Sequence, residues 1–163
     1  MKRVTELRHI VLDLDGTLIG EDYICARPHL AEFLAFCFEH FETVNIWTAA
    51  SQSWYDQCFR KLLRKHMPAG KDTFHSVWFG DKCKRRYDTH LGYHITYKPL
   101  SRYWRAKSRR MTKFNTVIVD NTPETYMANY GNAVPIETYL GASQDNELLR
   151  VMNLFCRKIF YGL

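Results

Sequence analysis

The run Ile10-Val11-Leu12-Asp13-Leu14-Asp15-Gly16-Thr17-Leu18 constrains this chain more than any other stretch. An apolar, partly β-branched segment passes straight into two carboxylates spaced two apart, then a glycine and a hydroxyl residue. Such an order predicts a buried strand that ends in acid. In an extended chain alternate side chains share a face, so Asp13 and Asp15 would lie on one side if the strand simply continued. Carboxylates crowded at the end of a buried strand repel each other, and a divalent cation or a shared proton relieves that repulsion. A strand followed by an ordinary Asp-Gly turn is the plainer alternative.

The remaining chain supplies further strand ends of the same kind. Thr43-Val44-Asn45-Ile46-Trp47 is a short β-branched run that gives way to Thr48-Ala49-Ala50-Ser51, and Asn115-Thr116-Val117-Ile118-Val119 runs into Asp120-Asn121-Thr122-Pro123. Between the first two strands, Leu30, Phe33, Leu34, Cys37, Phe38 and Phe41 recur at three- and four-residue steps and predict a helix, with Pro28 at its first position. A second helix is expected from Ser51 or Ser53 to about His66. A third is expected over Leu100, Tyr103 and Trp104 to about Lys107, closed by the polar patch Ser108-Arg109-Arg110. Val134-Pro135-Ile136 reads as a last short strand, and Asn146 to Phe160 as a closing helix. From Pro68 the pattern breaks, and the segment to about Tyr97 reads as a small insertion beside the sheet, with strand-like pieces at Thr73 to Phe79 and Tyr93 to Tyr97. Its basic run, Lys82-Cys83-Lys84-Arg85-Arg86, suits an anionic substrate or a solvated loop equally.

Strands alternating with helices predict an α/β fold, a doubly wound, Rossmann-like parallel sheet covered on both faces. At 163 residues, 46% hydrophobic and 15% aromatic, the expectation is one domain over 1–163 with a sizeable core. Five scattered cysteines indicate neither a disulfide framework nor a CxxC metal site. No stretch reaches the roughly 18 apolar residues of a membrane span. The protein is therefore expected to be soluble and intracellular, in cytoplasm or nucleus, with no membrane partner and with a monomer as the simplest state. A net charge of +6 favours acidic partners, phosphoproteins and nucleic acids alike.

In doubly wound sheets ligands bind beyond the carboxyl ends of the strands. Asp13 and Asp15, Thr48, and Asp120 with Asn121 are thereby gathered around one crevice. Suppose the crevice holds Mg²⁺, which prefers oxygen ligands. Asp13, Asp120 and Asn121 supply side-chain oxygens and Asp15 its backbone carbonyl. A carboxylate beside the cation can attack phosphorus, forming an aspartyl-phosphate, while the acid two residues on protonates the leaving oxygen and later activates water. A hydroxyl and a cation are needed opposite the metal to steady the phosphoryl group, and Thr48 and Lys98 are the candidates. Trp47, Trp54, Trp78 and Trp104 are expected in the core or a groove rather than in a stacking platform for nucleic acid.

Asp13-Leu14-Asp15-Gly16-Thr17-Leu18 resembles the first motif of the haloacid-dehalogenase superfamily, Ile46-Trp47-Thr48-Ala49-Ala50 its second, Lys98 its third and Val119-Asp120-Asn121-Thr122-Pro123 its fourth. The wording around them, Arg27-Pro28-His29, Tyr97-Lys98-Pro99-Leu100-Ser101 and Asn132-Ala133-Val134-Pro135-Ile136, is similar to the small phosphatases that act on the RNA polymerase II carboxy-terminal domain, the FCP/SCP-like enzymes with a NIF-type domain. The resemblance implies Asp13 as nucleophile and Asp15 as general acid/base. It implies Thr48, Ala49, Lys98 and an insertion arginine, Arg86 or its neighbour Arg85, as substrate binders, and Asp13, Asp15, Asp120 and Asn121 around Mg²⁺. Gly16 departs from the branch, which usually has an acidic or polar residue there.

The expected function is accordingly a Mg²⁺-dependent phosphoserine/phosphothreonine protein phosphatase. An insertion of about 30 residues is too short for a large lid and leaves the crevice open to a macromolecule. The alternatives are a phosphatase for nucleic-acid ends or nucleotides and, from another class, an inactive module that holds a phosphorylated tail.

Overall fold

The computed structural model describes residues 7–21, 25–106 and 110–161. Its elements run β1 (His9–Leu12), α1 (Leu30–His40), β2 (Thr43–Trp47), α2 (Gln52–Cys58), β3 (Ser76–Trp78), β4 (Lys84–Asp88), β5 (Tyr93–Tyr97), α3 (Ser101–Arg105), β6 (Thr116–Asp120), α4 (Pro123–Tyr126), β7 (Ala133–Pro135) and α5 (Glu147–Tyr161). Among the described residues, five of the strands form one sheet in the order β3-β2-β1-β6-β7. All of its neighbours are parallel. The chain winds outward from β1 to β3 and then returns to the other side of β1. The winding direction thus reverses between β1 and β6, where a doubly wound sheet opens its binding crevice.

The unbroken apolar runs are explained by burial on both faces. Ile10 and Leu12 of β1, Val44 and Ile46 of β2, and Val117 and Val119 of β6 point into a core shared with Phe33 and Leu34 of α1, Tyr55 and Cys58 of α2, and Leu148 and Phe155 of α5. The intervening residues, Val11, Trp47 and Ile118, meet Leu100, Tyr103, Met111 and Tyr126 on the opposite face. Among the described residues, no helix is long and apolar enough to cross a membrane.

Three boundaries differ from expectation, each for a local reason. The α1 helix begins after Pro28, because Ala26 is bridged to Ile19 and Arg27 N donates to the Leu18 carbonyl, holding the chain extended; His29 then turns it with φ 67°. The expected insertion over about 68–97 is interrupted by β3, which joins the main sheet through Ser76, Val77 and Trp78 opposite Asn45, Ile46 and Trp47. Among the described residues, only the antiparallel β4–β5 hairpin stands outside that sheet. Finally, α3 ends at Arg105, and Lys107, Ser108 and Arg109 lie outside the described residues. The helix after β2 runs as expected from Ser51, whose hydroxyl accepts from Trp54 N, through a π turn at Phe59–Leu63 and a 3₁₀ turn to His66.

Candidate active site

Asp13 follows β1 directly. Its N–H donates to the Val119 carbonyl at 3.0 Å, so the strand pairing with β6 carries the residue into the crevice between the two strands. The chain then turns sharply, with Gly16 at φ 75° and Leu18 N donating to the Leu14 carbonyl at 2.9 Å. Because of that turn the two carboxylates do not form one crowded pair. They acquire separate surroundings.

Asp13 is 6% exposed. Its Oδ1 accepts from Lys98 Nζ at 2.6 Å and its Oδ2 from the Thr17 hydroxyl at 2.9 Å. Lys98, 1% exposed, donates a second bond to Asp120 Oδ2 at 2.7 Å, and Asp120 Oδ1 accepts from Thr122 N at 2.9 Å. The lysine backbone is itself fixed: its N–H donates to the Thr125 carbonyl at 2.6 Å and its carbonyl accepts from Asn129 Nδ2 at 2.6 Å. One buried cation therefore stands between two buried carboxylates. Burial, reinforced by the Asp120 charge, pushes Asp13 up to about 7 against the pull of Lys98. Burial acts the other way on Lys98, but the two carboxylates outweigh it and hold the ammonium group protonated.

Asp15 is partly exposed and looks toward α2. Its Oδ1 accepts from Trp54 Nε1 at 2.8 Å, and Thr48 Oγ1 lies 3.5 Å from its Oδ2. Burial raises this carboxyl too, opposed by those two donors. A carboxyl raised toward neutrality and open to solvent on one side suits proton transfer to and from a substrate oxygen. Thr48 is buried at the end of β2, its hydroxyl accepting from Ala50 N at 3.0 Å. Ala49 is exposed beside it, and the turn after β3 closes on this loop so tightly that a Cβ at Gly80 would collide with the Ala49 carbonyl oxygen.

The donor set fits a hard cation. The inner atom of the Asn121 amide lies 3.0 Å from Asp13 Oδ2, 3.2 Å from the Asp15 carbonyl oxygen and 3.1 Å from the Thr17 hydroxyl. With nitrogen inward the amide donates to all three, and its Oδ1 accepts from Thr138 at 3.0 Å. With oxygen inward, Asn121 Oδ1, Asp13 Oδ2 and the Asp15 carbonyl converge with only the Thr17 proton among them. A Mg²⁺-like ion removes that frustration. The Asp120 oxygens accept from Lys98 Nζ and Thr122 N–H. Among the described residues no three His, Cys, Asp or Glu side chains converge; the converging oxygens come from one carboxylate, one backbone carbonyl and one amide.

Arg86 lies on β4, exposed and opposite Ile95. Among the described residues no hydrogen bond joins it, or Arg85, to the Asp13–Lys98 cluster. Four contributors were not singled out from the sequence: Thr17, Trp54, Asn129 and Arg27. Trp54 lies in the first turn of the helix after Thr48, a turn that faces the strand ends, and its position was the available signal. Trp54→Phe keeps the ring and removes the Asp15 bond; steady-state assays on an aryl phosphate are expected to show kcat down about tenfold with KM little changed.

Arg27 is 1% exposed. Its Nε and Nη2 donate to the two oxygens of Asp145 at 2.8 and 2.9 Å, Nη1 donates to the Gly16 and Thr17 carbonyls, and Nη2 also to the Glu137 carbonyl. This guanidinium braces the turn beneath Asp13 and Asp15. Arg27→Met is expected to cost about 3–5 kcal/mol, because Asp145 and three carbonyls lose their donor, and Arg27→Lys is expected to recover little, having no planar fork. Urea unfolding of both variants measures this.

Gly16 has an equally local cause. A Cβ there would stand 2.5 Å from Asn121 Nδ2, which is held by the Thr138 hydroxyl, and φ is positive. Gly16→Ala is expected to lose about 1 kcal/mol or more from the backbone conformation alone. It should also displace Asn121 and cut turnover at least tenfold, read from the melting temperature and kcat.

The comparisons agree with this architecture. Residues 8–159 match the family model described as NLI interacting factor-like phosphatase. CTD small phosphatase-like protein 1 of Caenorhabditis elegans is 31% identical over 143 residues, covering 88% of this chain and 25% of that protein. The human CTD small phosphatase-like protein is 31% identical over 146 residues, covering 90% and 46%. The solved structure of Fcp1, an essential RNA polymerase II CTD phosphatase, superposes with a TM-score of 0.55 at 17% identity, covering 93% of this chain and 50% of that one, and supports the fold. This chain thus spans a quarter to a half of the length of these relatives. With a match over nearly all of its residues, it belongs to the NLI interacting factor-like phosphatase family.

Proposed function

We propose that this domain is a Mg²⁺-dependent phosphatase for phosphoserine and phosphothreonine in proteins, working through an aspartyl-phosphate on Asp13. The observation that carries the reading is the split environment of the two acids. Asp13 is buried against Lys98 with its Oδ2 facing the oxygen cluster, and Asp15 reaches solvent beside Thr48. Asp13 Oδ2, the Asp15 carbonyl and Asn121 Oδ1 would hold the cation, while Asp120 positions Lys98. When bound, the cation supplies the positive charge that lets a carboxylate approach a phosphate dianion.

Asp13 attacks phosphorus as the ester P–O bond breaks. Asp15, protonated, gives its proton to the leaving seryl or threonyl oxygen. Asp15 then takes a proton from the water that attacks the acyl phosphate, returning Asp13 as carboxylate and releasing inorganic phosphate. Two of the three N–H donors of Lys98 are used on carboxylates, leaving the third for a phosphoryl oxygen, with the Thr48 hydroxyl and Ala49 beside it. Arg86, on the hairpin, is the proposed contact to a substrate phosphate approaching from outside. The names of the relatives, which call them CTD phosphatases, support a phosphoprotein substrate.

The deciding experiment compares phosphate release from phosphoserine peptides, including polymerase-tail repeats, with release from nucleotides and 3′- or 5′-phosphorylated oligonucleotides, each with Mg²⁺ and with EDTA. Peptide turnover that EDTA removes is expected. Preference for oligonucleotide ends would replace the substrate assignment, and no turnover of any substrate would leave a binding module.

A further inference from the structure

The charge of this chain is concentrated. Residues 82–113 contain eleven Lys and Arg and a single acid, Asp88, a net of +10, so within the total of +6 the rest of the chain is net −4. Lys98 is neutralised inside the site by Asp13 and Asp120. The other described basic residues of this segment belong to the hairpin and α3 or the loop after it. Among the described residues, no salt bridge ties Lys84, Arg85, Arg86 or Arg105 to a carboxylate, and Lys82 meets only its neighbour Asp81, at 3.8 Å. Arg102 Nη1 donates to the Lys82 carbonyl at 2.7 Å, joining α3 to the foot of the hairpin and making the positive band continuous.

The hairpin adds exposed rings to this charge. In its register Arg86 and Lys84 pair with Ile95 and Tyr97, whereas Arg85 and Tyr87 pair with Thr96 and His94. Ile95 is buried, so its face is turned to the body and the face bearing Arg85, Tyr87 and His94 is turned outward. On that outward face the Tyr87 ring is edge-on to His94, with centroids 5.3 Å apart, and it is 55% exposed; Tyr93, near the tip on the other face, is 52% exposed. Rings left this open serve no core.

We propose that the outward face of the β4–β5 hairpin, continued by α3, binds single-stranded nucleic acid, apart from the phosphoryl-transfer crevice. Cations matched to a backbone of phosphates and aromatic faces matched to unstacked bases are what such strands require. An acidic peptide satisfies the charge and leaves the rings without partners, and a duplex hides its base faces.

The test is fluorescence-anisotropy binding of the whole chain to a labelled 20-nucleotide oligouridylate with hydroxyl groups at both ends, so that the phosphatase site has no monoester to recognise. Binding is expected to weaken roughly 50-fold between 50 and 200 mM salt, as about four phosphate contacts imply. Tyr87→Ala is expected to weaken it about tenfold, and Arg105→Glu to flatten the salt dependence, both with unchanged melting temperature and aryl phosphatase activity. Equal affinity for the matching duplex or for a doubly phosphorylated acidic peptide, or affinity indifferent to salt or to Tyr87→Ala, would overturn the proposal. The salt series on the unaltered protein decides it even if a variant misfolds, and its outcome is separate from whether the crevice hydrolyses phosphoproteins.

Discussion

Asp13→Asn is expected to abolish phosphate release while leaving the fold intact. The change removes the attacking oxygen, so turnover of any phosphomonoester should fall on the order of 10⁴-fold or more. Stability should not fall with it. Lys98 donates to Asp13 and Asp120 at 2.6 and 2.7 Å, so the native cluster has two buried carboxylates for one ammonium group. Removing the Asp13 charge leaves Lys98 and Asp120 as a matched pair and ends the repulsion that helps push Asp13 up. A melting temperature no lower than that of the parent, with turnover lost, is the expected pair of results. Retention of more than about a hundredth of the activity would mean that water attacks phosphorus directly and that Asp13 is not the nucleophile.

Lys98→Met is expected to fail in the opposite way, losing stability as well as turnover. Asp13 and Asp120 would then face each other in the interior with no internal counter-charge, a loss of about 3–5 kcal/mol. The pH dependence has a defined sign. Carboxyls whose folded pKa lies above the unfolded value bind protons more readily when folded, so stability is gained as pH falls. Asp13 is already raised to about 7, and without Lys98 it should rise further. Urea midpoints of the variant should therefore climb as pH is lowered from about 8 to 5, more steeply than those of the parent. Added Mg²⁺ should recover part of the lost stability, since the oxygen cluster at Asp13 accepts the charge. Activity should not return under either condition. A variant as stable as the parent at all pH values would show that Lys98 is not the counter-charge that holds the cluster together.

The legible part of this molecule was the part that repeats a simple physical demand. The β1, β2 and β6 strands are buried on both faces and so wrote themselves as apolar runs. The residues that end them were readable for the same reason, because a carboxylate or hydroxyl at the end of such a run has little structural purpose. β3 lies within the strand-like piece expected at Thr73 to Phe79, but its place in the main sheet was not legible, because three partly buried residues are too short for a period and too polar for a run. Trp54 and Thr17 escaped because their roles depend on the turn after Leu14 and on how α2 meets it, and neither geometry has a sequence period. Asp120 is legible as a site residue because it ends a strand beside Asn121; its bond to Lys98 depends on the path of the Lys98 backbone, held by Thr125 and Asn129, which has no sequence period. Gly16 departs from the family wording, and the Asn121 amide fills the space a side chain there would need.

The Arg27–Asp145 pair has a consequence for how the protein is made. β1 must wait for β6, since His9 pairs with Thr116, and the turn bearing Gly16 and Thr17 is braced by an arginine whose own counter-charge is Asp145. A nascent chain that has emerged only as far as Lys98 carries the first three motifs, yet it has no Asp120 to share that lysine and no Asp145 to seat Arg27. Contacts closed over such distances form late in folding. Catalytic competence should accordingly appear abruptly, only once the chain through Asp145 has emerged, and a polypeptide stalled on the ribosome after the third motif should be inert toward phosphoesters.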